Sequence, residues 1–192
     1  MKTTIYYKVT FLTWWHCGSG QAAGADVDEL SIKDSDGLPY IPGRTMKGLL
    51  LYACRQLEGY HFDGINENII NKVFGHYDGD EAGYPVKGEA FFSDMLLPSG
   101  DRRTIAGDKD LLAALYSSIS ATAIGDDGIA KDHSLRKIQV TAPCSLYGMI
   151  ANVPADSLGI LEEAMKYIKR IGLGRNHGLG RCKIELIETK ES

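Results

Sequence analysis

Two glycine-rich stretches that carry cations, and one acidic loop, hold the side chains of this sequence with chemistry to offer. The first stretch is Gly37-Leu38-Pro39-Tyr40-Ile41-Pro42-Gly43-Arg44-Thr45-Met46-Lys47-Gly48. Its two prolines fix φ at about −65° and push Leu38 and Ile41 toward extended geometry, so a helix can begin only after Gly43. Arg44 and Lys47 then fall in the first helical turn, where the helix dipole favours acids over cations. A Pro-Gly turn, unpaired backbone N–H groups and two cations make a seat for a phosphate; the simpler reading is that both cations are only solvated.

The second stretch runs Ile171-Gly172-Leu173-Gly174-Arg175-Asn176-His177-Gly178-Leu179-Gly180-Arg181. Its spacing has a surface likeness to a dinucleotide fingerprint. That motif needs a strand before it and a helix after it, whereas here a helical pattern precedes and a strand pattern follows, so the nicotinamide reading is rejected. Between positions 164 and 184 stand six Lys or Arg and no acid. A local basic patch on a chain of net charge −4 points to a polyanion bound at one site, not to binding over the whole surface.

The acidic loop is Asp26-Val27-Asp28-Glu29, preceded by a small, glycine-rich run at 16–24. Three carboxylates thus emerge from flexible backbone; the competing reading is a solvated loop. His16-Cys17 places a base beside a thiol, but chain neighbours rarely point at one another, and the four scattered cysteines, with no Cys-x-x-Cys, read as reduced core thiols.

These groups need elements to hold them. Residues 3–15 have the composition of a strand. Met46, Leu49, Leu50, Ala53 and Leu57 mark one face of a helix over 44–58. A second short helix is expected at 66–74, a loop at 78–88, a strand at 90–97, a loop at 98–110 and a short helix at 111–119. Residues 134–150 read as one or two strands. A helix capped by Asp156 or Ser157 is expected to run until Gly172, and residues 181–187 alternate as a closing strand. This order is that of a ferredoxin-like α+β fold, RRM-like, with an antiparallel sheet, two main helices on one face and loop or helical insertions. One domain over 1–192 is expected, with its core at about 1–58 and 134–188 and an insertion at about 98–133.

At 192 residues, 44% hydrophobic and 24% charged, the chain can bury a core of moderate size. No run of about 18 apolar residues spans a bilayer, and the first residues lack the apolar stretch of a signal peptide, so a cytoplasmic location without membrane contact is expected.

With both glycine-rich stretches in view, the chain resembles the RAMP superfamily of CRISPR-associated proteins, most closely the backbone subunits of type III effector complexes. The matching pieces are Gly18-Ser19-Gly20, residues 33–48, Val73-Phe74-Gly75, Gly128-Ile129-Ala130 with Ser134-Leu135-Arg136, and the glycine loop at 172–180. The resemblance implies a ferredoxin-like core that binds guide CRISPR RNA along its backbone, pairs it with target RNA and stacks with other effector subunits. By position, Arg44, Lys47, Arg136, Gly174, Arg175, Asn176, His177 and Arg181 would meet the RNA. It also implies target cleavage at an aspartate upstream of the proline-glycine piece, matched by Asp28, with Asp26 as the neighbouring alternative. That aspartate would hold a divalent metal (Mg or Mn) or orient a ribose 2′-OH. Two alternatives stay open: a non-catalytic RNA-binding scaffold, and a metal-independent guide-processing ribonuclease using His16 or His133.

Overall fold

The computed structural model describes residues 2–20, 27–78, 83–122, 128–129, 131 and 134–191. In chain order the elements are β1 (Lys2–Phe11), α1 (Gly43–Gly59), α2 (Glu67–Phe74), a hairpin of β2 (Gly75–Asp78) and β3 (Tyr84–Lys87), and β4 (Phe91–Phe92). Then come α3 (Ser99–Ala106), α4 (Lys109–Ala114), a second hairpin of β5 (Tyr116–Ala121) and β6 (Arg136–Thr141), β7 (Ser145–Pro154), α5 (Leu158–Tyr167) and β8 (Cys182–Glu191).

Strand β1 buries alternate side chains, Ile5, Tyr7, Val9 and Phe11, while Thr4, Tyr6, Lys8 and Thr10 stay partly exposed. It is paired on both sides, antiparallel to β7 and to β8, and β4 completes a sheet of order β4-β7-β1-β8. With α1 between β1 and β4 and α5 between β7 and β8, this is the ferredoxin-like arrangement expected from the sequence. Met46, Leu50, Ala53 and Leu57 of α1 and Leu161, Ala164 and Met165 of α5 share one core with the inward face of β1. Asn66 starts α2 by accepting the Ile69 N–H at 3.1 Å.

Four local readings give way. The expected loop at 78–88 contains β3, because that hairpin pairs only with itself and β3 is exposed throughout, so no apolar alternation marks it. The expected loop at 98–110 holds α3, a helix without a buried residue. It is fastened by Arg102, whose guanidinium donates to Asp34 at 2.6 Å and to Asp36 at 3.0 Å. Residues 111–119 are not one helix: α4, capped by Asp108, stops at Ala114 and β5 follows, its pairing set by β6 further along the chain. Finally, α5 ends at Tyr167 and not at Gly172, since Ile168 is extended (ψ 114°) and the chain turns back to pair with the start of β8. No helix among the described residues is long and apolar enough to cross a membrane.

Candidate RNA-binding cleft

After α5 the chain forms a closed loop. Lys169 C=O accepts from Cys182 N–H at 2.9 Å, Ile171 N–H donates to Gly180 C=O at 2.9 Å, and Arg170 bridges Arg181. The loop they enclose, 172–179, lies on the segment following β1: Leu173 N–H donates to His16 C=O at 3.0 Å and Gly180 N–H to Trp14 C=O at 2.8 Å. Both contacts demand glycine nearby. Gly172 has φ +97° and Gly180 φ +68°, and a Cβ on either would collide with a carbonyl, that of His16 or of Ile171. A short 3₁₀ turn at Arg175–His177 forms the crest of the loop, entered through Gly174 at φ +67°.

Opposite the crest stands the β5–β6 hairpin. Between them is a cleft of about 620 Å³ whose floor is apolar (Ile119, Ile138, Leu173, Leu179) and whose rim carries Glu29, Arg136, Gly174, Arg175, Asn176 and His177. Five of the eight residues expected to meet RNA therefore converge here, from parts of the chain some 40 positions apart. Arg175, Asn176 and His177 are exposed, and neither Arg136 nor Arg175 has a carboxylate partner among the described residues. The sequence did not point to the apolar floor; its Ile and Leu residues carry no signal until the hairpin is folded over the loop.

The other three expected contacts lie elsewhere. Arg181 lines a separate cleft with Lys169, Arg170 and Lys183, on the far side of the Arg170–Arg181 bridge. Arg44 sits in the first turn of α1, exposed, and Lys47 just beyond that turn. There the expected phosphate seat is partly taken: Gly43 N–H donates to Asp94 at 2.7 Å, so the anion held at this helix start is the protein's own carboxylate. What α1 offers outward is the two side chains.

Asp28 precedes Glu29 of the cleft in sequence but does not itself line the cleft. Its N–H donates to Lys137 C=O at 2.8 Å, and its carboxylate accepts the Lys137 N–H at 2.6 Å, which locks the acidic loop onto β6 beside Arg136. The side chain is exposed. Asp26 and His133 lie outside the described residues. Among the described residues no group of three or more His, Cys, Asp or Glu is placed to hold a metal.

His16 is fully buried beneath the glycine loop, not in the cleft. Its Nδ1 lies 2.6 Å from Gln139 C=O, and a carbonyl only accepts, so Nδ1 carries the proton. Nε2 is turned toward Glu29 at 3.6 Å. Burial raises the Cys17 thiol, which works against a nucleophilic role.

A family model described as the RAMP superfamily matches residues 8–183. No curated protein matches the chain. Among solved structures, the cryo-EM structure of the Type III-B Cmr-beta bound to cognate target RNA is similar with a TM-score of 0.71 and 10% identity, over 95% of this chain and 96% of that one. The apo state of Type III-B Cmr-beta gives a TM-score of 0.68 and 11% identity, over 96% and 97%. At these identities the likeness is one of fold.

Proposed function

The chain belongs to the RAMP superfamily, and from that premise we propose that it is a cytoplasmic, RNA-binding backbone subunit of a type III-like CRISPR effector complex, contacting guide and target RNA and other subunits. The observation that carries this reading is the cleft in which the glycine loop and the β5–β6 hairpin bring together Arg136, Arg175, Asn176 and His177 over an apolar floor. Unpaired guanidinium groups meet phosphates, and a floor without charge accepts ribose and base. Two solved structures of similar fold are of Type III-B Cmr-beta, one of them bound to cognate target RNA.

The finer proposal is target-RNA cleavage at Asp28. Its exposed carboxylate, one residue before Glu29 of the cleft, is held by the Lys137 N–H and accepts the proton of a ribose 2′-OH. The 2′ oxygen attacks the adjacent phosphorus, the P–O5′ bond breaks, the departing O5′ takes a proton from water, and a cyclic phosphate end remains. The same hydrogen bond favours the second reading, a scaffold without cleavage, because it gives Asp28 a structural task.

One assay separates them: cutting of guide-complementary RNA by the reconstituted complex, with magnesium or with chelator, for wild type, Asp26→Ala and Asp28→Ala. Loss of cutting in Asp28→Ala alone, with RNA binding intact, supports the nuclease. Equal behaviour of all three leaves the scaffold. Arg175→Ala is expected to weaken RNA binding across unrelated sequences and flatten its salt dependence; loss confined to one sequence would contradict backbone recognition.

A further inference from the structure

The crest of the glycine loop has a second side. Arg175 and Asn176 wall the hairpin cleft and also a groove of about 400 Å³ between α1 and α5, completed by Leu49, Tyr52, Tyr167 and Lys169. We propose that this groove is a second RNA subsite, where bases stack on Tyr52 and Tyr167 while Lys169 and Arg175 meet the phosphates. The proposal rests on the RNA-binding reading above and extends it to surface that reading does not use.

Three observations carry it. Tyr52 is 57% exposed on the side of α1 away from the core, and Tyr60, 69% exposed, lies beside Tyr167, which rests one side on the core and is half-buried, so exposed aromatic surface gathers where the two helices meet. Single-stranded nucleic acid is held in grooves of this make, where ring faces accept any base and cations follow the backbone. The charges divide accordingly. Lys166, which does not line the groove, is paired to Glu162 and Glu163, whereas Lys169 and Arg175, which do, have no carboxylate partner among the described residues. Among the described residues no acid lines the groove. Lastly, the shared wall of Arg175 and Asn176 makes the two sites continuous: a strand leaving the hairpin cleft passes over the 3₁₀ turn into the tyrosine groove.

The test compares binding of the full-length protein to mixed-sequence single-stranded RNA and to an abasic ribose-phosphate oligomer of the same length, by fluorescence anisotropy over a salt series. Tyr52→Ala and Tyr167→Ala are expected to weaken RNA binding by about tenfold each, to leave the abasic oligomer unaffected, and to leave the salt slope unchanged. Tyr52→Phe, which keeps the ring, should bind RNA as wild type does. Lys169→Ala should instead flatten the salt slope on both ligands. Wild-type affinity in both alanine variants would overturn the groove, as would equal losses on RNA and abasic oligomer. Concentration-dependent self-association abolished by Tyr52→Ala, with RNA binding intact, would assign the groove to a second copy of the chain and overturn it too. If Arg175→Ala weakens binding while the tyrosine variants do not, only the groove fails. If wild type shows no salt-sensitive RNA affinity, the RNA-binding reading fails and the groove with it.

Discussion

The two glycine-rich stretches look alike in sequence and do different work in the structure. In the second, Gly172 and Gly180 have left-handed backbone and no room for a side chain, because the loop is pressed onto the carbonyls of His16 and Ile171. In the first, a Cβ on Gly43 would strike the Phe92 carbonyl, yet one on Gly48, the sixth residue of α1 and exposed, would meet nothing. A glycine inside a helix with empty space beside it weakens the fold for no internal reason. So the second stretch needs Gly172 and Gly180 for the protein's own packing, whereas in the first packing holds Gly43 and leaves Gly48 unconstrained.

That contrast can be broken by substitution. Gly180→Ala or Gly172→Ala should cost roughly 2–5 kcal/mol, left-handed strain added to overpacking, and lower the melting temperature by about 10 °C. A melting temperature within a degree or two of wild type would show that the loop is not pressed down as described. Gly43→Ala lacks the backbone strain and should cost less, about 1–3 kcal/mol, since the clash with Phe92 also disturbs the Asp94 cap. Gly48→Ala should do the reverse, stabilising α1 by about 0.5–1 kcal/mol while weakening RNA binding. A gain in both properties would mean that Gly48 serves no ligand.

Two thiols sharpen the comparison with no expected effect on folding. Cys54 lies in α1 and Cys182 at the end of the glycine loop, and burial pushes both up to about 12. A raised thiol is protonated and sheltered at pH 8, so alkylation should be slow in the native protein and should report local opening of each region. In Gly180→Ala, Cys182 is expected to label faster than Cys54; equal acceleration would indicate global unfolding.

Much of the fold was legible because its signals are local. The apolar face of α1 survives almost intact, with Met46, Leu50, Ala53 and Leu57 buried and only Leu49 displaced to the groove. The hairpins were not legible, since β3 and β5 have little buried surface and owe their form to partners elsewhere in the chain, β2 before β3 and β6 after β5. The candidate site was half legible. Cations and glycines could be counted, but only the bridge between Arg170 and Arg181 divides them, sending Arg175 to one cleft and Arg181 to another.

The place of β1 has a consequence for how the protein is made. Its partners are far off in sequence: Thr10 and Ser145, which face one another across the β1–β7 ladder, are 135 residues apart, and β8 comes later still. At a synthesis rate of about 5–20 residues per second, β1 waits roughly 7–30 s as an unpaired, apolar strand. The centre of the sheet is thus its first part synthesised and its last part satisfied, which calls for slow closure and for protection of the nascent chain until β8 arrives.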